Sequence, residues 1–250
     1  MTAVLAIDFY YQILVIADCR VSWRGHATLQ DNLQKVYPLG PTGIFAFSGS
    51  VKAARAILQQ LRTQARGSPL PPSDSDIASD ISRSARVAYS SLPLKDRHPI
   101  ELMYVAPDYG AITMATENVT FARNVMVRME QPDFSPIPQA DAVRLGYARD
   151  YPMENIRLNR DNLLNAGLDP LGQTMLIGIA IGSFAPNLAK LAPTQVGGLF
   201  SVGTATARGV GWRTYGPING LELARGRQIH TDRPQLGTPG PPQDHLRIRP

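Results

Sequence analysis

Thr2 follows Met1 and carries the chemistry that most constrains the chain's function. A small second residue permits removal of the methionine, so Thr2 is expected to become residue one. A terminal threonine holds a hydroxyl nucleophile and an α-amine on the same residue. The amine has a reference pKa of about 7.7–8.0, so it can act as general base to its own hydroxyl near neutral pH. A Met-Thr start is commonplace on its own, and its meaning depends on the residues that accompany it. Lys35 stands out because the chain has four lysines against 21 arginines. Lysine shifts its pKa on burial, whereas arginine stays charged, so this choice suits a pKa-sensitive role. Cys19 is the single cysteine. No histidine adjoins it, which favours a buried structural thiol over a nucleophile.

The spacing ties these residues together. Thr2 is followed by an apolar stretch over residues 4–17, then Asp18-Cys19-Arg20-Val21-Ser22, Gly25 and Lys35. A second apolar run ends Phe45-Ala46-Phe47-Ser48-Gly49-Ser50 and leads into helical periodicity. This pattern resembles the β subunits of proteasomes and the related bacterial heat-shock-locus protease, which are N-terminal-nucleophile hydrolases. Their pattern is a terminal Thr, an apolar hairpin, Asp-x-Arg-x-Ser/Thr, a Gly and a Lys, then a strand, a Gly and a helix. Lys35 fits with one extra residue near Trp23-Arg24. The likeness runs from Thr2 to Val210 and is specific up to about residue 60.

The resemblance implies an α+β fold, a four-layer αββα sandwich of two antiparallel sheets flanked by helices. It implies a threonine-type peptidase with an acyl-enzyme, which water or an amine could resolve. Thr2 would be the nucleophile. Lys35, as a buried ammonium, would lower the pKa of its hydroxyl and amine. Asp18 would pair with Lys35, since an unpaired buried ammonium is costly. The Gly49 amide would serve the oxyanion, and its lack of a side chain would let substrate backbone approach. Arg20 would brace the Asp18 loop and Ser22 would hydrogen-bond substrate backbone. Val21, Leu33, Phe47 and Val51 would line the pocket for the residue before the scissile bond, and their apolar character implies cleavage after hydrophobic residues. The implied substrate is a peptide or unfolded protein, handled without a cofactor in a homo-oligomeric ring, with a ring ATPase as partner.

Two features depart from the family. Its helper serine lies in a Gly-Ser-Gly turn, and the nearest match is Leu145-Gly146-Tyr147-Ala148, with Tyr147 in the serine's place. The proteasome aspartate before the late Gly197-Gly198 is absent, as it is in the bacterial relative; Pro193-Thr194 stands near it. The proton shuttle is therefore altered, or Ser183 or another hydroxyl substitutes. The alternative is a catalytically inactive ring or scaffold subunit, which retention of Met1 would mark.

The elements that must position these residues are set by periodicity. Strands are expected over residues 3–10, 13–17 and 43–47, with Gly25 a turn in the mixed stretch between the last two. Val51, Ala54, Ile57, Leu58 and Leu61 fall on one face of a helix over residues 51–66, with Ser50 as N-cap and Gly67 as stop. A second helix, over residues 76–92, turns Ile77, Ile81, Ala85, Ala88 and Leu92 inward. Strands over 100–106 and 111–116 flank the turn Asp108-Tyr109-Gly110, and residues 119–129 extend that sheet. Residues 68–73 and 131–139 read as Pro-rich loops. Helices are expected over 153–166 and 172–191, with Pro186 kinking or ending the second. Strands over 198–205 and 210–214 close a domain of residues 1–215. Residues 216–250 read as a Pro/Gly-rich basic tail, extended or disordered. Such segregated blocks of strands and helices indicate α+β layers.

Composition narrows the rest. The 250 residues are 44% hydrophobic and 18% charged, as in a globular protein able to build a sizeable core. The net charge is +5, yet seven basic and three acidic residues lie beyond Val202, a difference of +4. The body is thus nearly neutral, and no aromatic-basic interleaving, zinc spacing or helix-turn-helix pattern supports a nucleic-acid partner. No apolar run is long enough to span a membrane and no secretory signal pattern occurs, so a cytoplasmic location is expected, which the lone cysteine also suits. The four histidines are scattered, arguing against a metal site, and no Walker-type phosphate loop occurs.

Overall fold

The computed structural model describes residues 2–9, 12–23, 27–30, 33–40, 42–67, 74–107, 124–165, 176, 178–206 and 209–218. The first hairpin pairs β1 (Ala3–Asp8) with β2 (Gln12–Asp18). Both strands read as unbroken apolar runs because both of their faces are buried. Ala3, Leu5, Ile7, Leu14 and Ile16 face one helix layer, whereas Val4, Ala6, Ile13, Val15 and Ala17 face a second sheet. A short hairpin, β3 (Val21–Trp23) and β4 (Ala27–Gln30), comes after it. Next are β5 (Val36–Leu39) and β6 (Gly43–Gly49). β6 extends two residues past its expected end at Phe47, because Ser48 and Gly49 still pair with Glu101 and Ile100.

Helices α1 (Val51–Gly67) and α2 (Asp74–Ser91) cover the outer face of the second sheet. Ser50 caps α1, its Oγ accepting the Ala53 N–H at 3.2 Å. The expected inward residues Ile57, Leu58, Leu61, Ile77, Ile81 and Ala85 are all buried there against Phe45, Phe47, Leu102 and Tyr104. Each large side chain of this kind contributes roughly 1.5–3 kcal/mol on burial. Strands β7 (Ile100–Ala106), β8 (Val125–Glu130) and the two-residue β9 (Ile137–Pro138) complete the sheet in the order β5-β6-β7-β8-β9.

The chain then returns to the first sheet through β10 (Ala142–Gly146), which pairs with β1. Periodicity gave no strand here, since five residues between turns make too short a pattern. A 3-10 turn, Tyr147–Asp150, leads to α3 (Met153–Asn165). A π-helical turn, Ala180–Phe184, runs into α4 (Ala185–Leu191). Pro186 does not end the run; the helix passes from π to α geometry at Ala185, immediately before it. β11 (Gly198–Thr206) and β12 (Gly209–Ile218) finish a first sheet ordered β10-β1-β2-β11-β12.

The result is a four-layer αββα sandwich with two antiparallel five-stranded sheets. Ile156, Phe184 and Leu188 pack on the first sheet, and a separate apolar layer lies between the sheets. β12 extends three residues past the expected domain boundary at residue 215. The turn at Gly25, the loop 68–73, the strand 111–116 with its turn, and residues 219–250 lie outside the described residues. Among the described residues no helix is long and apolar enough to cross a membrane.

Candidate active site

Antiparallel pairing brings the start of β1 against the end of β2, with Val4 opposite Ala17. Thr2 and Asp18 therefore meet at one rim of the first sheet. Asp18 Oδ1 accepts the Ala3 N–H at 2.8 Å, and Oδ2 accepts the Arg20 N–H at 3.2 Å. Lys35 arrives from the segment just before β5. Its Nζ donates to Thr2 Oγ1, to the Arg20 carbonyl at 2.5 Å and to Asp18 Oδ2 at 3.4 Å. The three ammonium donors thus meet three acceptors.

All three side chains are buried, with Asp18 and Lys35 at 0% and 1% exposure and Thr2 at 4%. Burial pushes Lys35 below its ordinary lysine range, and Asp18 pulls it back. Burial also pushes the Asp18 carboxyl up, against Lys35 and the Ala3 and Arg20 amides. An ammonium that is costly to hold charged releases or orients a proton readily, which is what a hydroxyl nucleophile needs beside it.

Cys19 points elsewhere. Its Sγ lies 3.2 Å from Ser201 Oγ, and burial pushes the thiol up to about 12. A thiol that resists ionisation at neutral pH is no nucleophile.

The carbonyl of Thr2 is held separately from its hydroxyl. It accepts the Ser48 Oγ–H at 3.2 Å and the Tyr147 N–H at 3.1 Å. Tyr147 therefore meets Thr2 through its backbone, not its side chain. The hydroxyl on Thr2 comes from Ser48, whereas Ser183 lies in the π-helical turn of the helix layer. Gly146 precedes Tyr147 at φ 56° and ψ −133°, and a Cβ there would collide with the Thr2 carbonyl and Ser48 Oγ. Only glycine allows this approach.

The other residues singled out by sequence lie around this centre. Arg20 Nη1 donates to the Pro193 carbonyl at 2.9 Å, tying the β2–β3 corner to the segment before β11. Gly197, at φ 151°, passes close beneath the guanidinium, 3.2 Å from where a Cβ would stand. Ser22 lies in β3 opposite Thr28, and its side chain is outside the described ones. Gly49 has φ 106°, and a Cβ on it would strike the Pro99 carbonyl. The glycine is therefore required by the neighbouring β7 backbone, a reason that spacing alone did not supply.

Val21, Leu33, Phe47 and Val51 do converge on one cluster. Leu33 and Phe47 are core residues at 5% and 2% exposure, while Val21 and Val51 are partly exposed at its margin. A pocket of about 240 Å³ beside Gly49 is lined instead by Ser48, Gly49, Pro99, Ile100, Glu101, Glu130 and Gln131. Among the described residues no group of three or more His, Cys, Asp or Glu is arranged to hold a metal.

The alternating residues Ile44, Ala46 and Ser48 form the inner row of β6, and Val105, Met103 and Glu101 the facing row of β7. Each row is apolar between the sheets and turns polar beneath Thr2. That switch was the available sequence signal for Ser48 and Glu101.

No protein-family model matches the chain, and no curated protein matches it in sequence. Among solved structures, the fold is similar to that of an Anbu (Gly-1) mutant from Hyphomicrobium sp. strain MC1, with a TM-score of 0.57. The identity is 12%, over 93% of this chain and 88% of that one. At that identity the likeness is one of architecture, and the chain has a proteasome-like fold.

Proposed function

We propose that this protein is a threonine peptidase whose nucleophile is Thr2, freed by removal of Met1. The observation that supports the reading best is the buried Lys35 ammonium, donating to Thr2 Oγ1 and paired with Asp18. Thr2 Oγ attacks the peptide carbonyl, forming a C–O bond while its proton passes to the α-amine. The oxyanion is met by the Gly49 amide. Collapse breaks the C–N bond, and the amine's proton leaves with the departing peptide. Water then attacks the resulting ester and regenerates the hydroxyl.

Val21 and Val51, partly exposed at the margin of an apolar cluster, favour substrates with a hydrophobic residue before the scissile bond. The substrates in this reading are peptides or unfolded proteins. Assembly into a homo-oligomeric ring through the helix layers belongs to the same reading, with exposed apolar side chains on both outer layers, Val87 on α2 and Leu158 on α3. A ring ATPase is the partner that would supply unfolding in the cytoplasm.

Hydrolysis of fluorogenic peptides with a terminal Leu or Tyr reporter tests the reading. Activity that survives Thr2→Ser, disappears in Thr2→Ala and needs no metal supports it. Equal turnover by Thr2→Ala overturns it. A second reading, an inactive ring or scaffold subunit, is favoured by one observation: Tyr147 offers Thr2 an N–H where the family offers a serine.

A further inference from the structure

Glu101 and Ser48 are direct cross-strand partners on β7 and β6. Both lie on rows that face the first sheet, and both reach Thr2. Ser48 does so directly, through its bond to the Thr2 carbonyl. Glu101 does so through one peptide unit. Its Oε2 accepts the Gly146 N–H at 2.6 Å, and the next amide, Tyr147 N–H, donates to the same carbonyl. Gly146 stands at φ 56° and ψ −133°, one of many backbone states open to glycine, and the Glu101 bond restrains it there.

The restraint is itself anchored. Arg149, from the 3-10 turn after Gly146, pairs with Glu101 Oε1 and with Glu130 Oε2, the second at 2.6 Å. The two glutamates stand opposite each other on β7 and β8 and line the pocket beside Gly49. A carboxylate on a backbone N–H makes a charge-assisted bond, stronger than a neutral one. Arg149 fixes the side-chain rotamer that delivers it.

We propose that Glu101 is a positioning residue for the Thr2 nucleophile, clamping the Gly146–Tyr147 peptide so that its N–H holds the Thr2 carbonyl and thereby the hydroxyl's reach to substrate. The proposal rests on the peptidase reading for its kinetic consequences but not for its geometry. It places a residue of the opposite sheet behind the turn in which the resemblance looked for a proton-shuttling serine.

The test compares the full-length protein with Glu101→Ala, Glu101→Gln and Arg149→Ala, using a threonine-reactive epoxyketone. Misplacing a reacting group by about 1 Å costs about 100-fold in rate. Glu101→Ala is expected to lower the inactivation rate constant about 10- to 100-fold while inhibitor affinity stays unchanged. Glu101→Gln keeps an acceptor oxygen for the Gly146 N–H and is expected to recover most of the rate. Arg149→Ala is expected to fall between them, and it replaces Glu101→Ala if that variant does not fold. An undiminished rate in Glu101→Ala, or in Arg149→Ala where it stands in, overturns the proposal; so does Glu101→Gln being as slow as the variant it should rescue. If the parent never labels, the peptidase reading fails and amide exchange decides the geometry. Faster exchange at Gly146 and Tyr147 in Glu101→Ala, or in its stand-in, with β1–β2 exchange unchanged, upholds the clamp. Unchanged exchange at those two amides overturns it.

Discussion

Thr2 is gripped on two sides by different physical means. Its hydroxyl meets a fully buried ion pair, Lys35 with Asp18. Its carbonyl meets neutral donors, a serine hydroxyl and a backbone amide. The charged side sets proton affinity, because burial makes the ionised forms of both groups costly. The neutral side sets position. In the proposed reading a nucleophile needs both, and the two should fail differently when cut.

The largest effect is expected on the charged side. Lys35→Ala leaves the Asp18 carboxylate buried without its cation. Stability should drop by about 3–5 kcal/mol in urea unfolding, since breaking one partner of a buried pair has that typical cost. Epoxyketone labelling should vanish together with it. Survival of both would mean that the two sides do not differ as described.

Gly146→Ala comes next. The new Cβ meets the Thr2 carbonyl, and φ 56° is unfavourable for any side chain in that setting. A loss of about 1–3 kcal/mol is expected from thermal unfolding, with labelling reduced in the fraction that stays folded.

These two variants also mark what could be read from sequence. The Asp18–Lys35 pair was legible because the resemblance set its spacing and a buried charge must have a partner. The carbonyl side was hidden because a backbone N–H leaves no letter: any residue but proline could donate it at position 147. Ser48 was visible only as a break after a strand, since its role requires knowing that the inner row of β6 ends beneath Thr2. The first hairpin, β6, β7, α1 and α2 were legible from periodicity, whereas the mixed stretch after the hairpin gave no strand where β3 and β4 lie. β10 was not, because Ala142–Gly146 is short, and its partner β1 lies more than 130 residues away. Gly49 was expected to make room for substrate; its missing side chain also makes room for the Pro99 carbonyl, which spacing could not show.

Ser48→Ala sharpens the comparison with a gentler cut. One of two donors to the Thr2 carbonyl is lost while the Tyr147 N–H remains. A stability change of about 1 kcal/mol is expected, with the catalytic rate lowered and KM unchanged. A raised KM with an unaltered rate would place Ser48 on substrate instead.

The smallest effect is expected far from the centre. Asp141 is bonded by Arg160 and Arg157, which hold its carboxyl below the usual aspartate range. Its folded pKa lies below the unfolded value of 3.8, so its contribution is present above that pH and is lost as pH falls through the folded value. Asp141→Asn should remove roughly 0.2–1 kcal/mol at neutral pH and nothing in strong acid, as measured by urea unfolding at each pH. This cluster, in which Asp141 and Arg157 are partly exposed, is the contrast to Lys35–Asp18: also an ion pair, but one whose loss is expected to cost little.

The most direct measurement is the intact mass of the purified protein before and after exposure to a threonine-reactive epoxyketone. The account predicts loss of Met1 and a single adduct that is absent from Thr2→Ala. An intact Met1, or a free Thr2 that stays unlabelled, would contradict it and leave a proteasome-like fold without a working nucleophile.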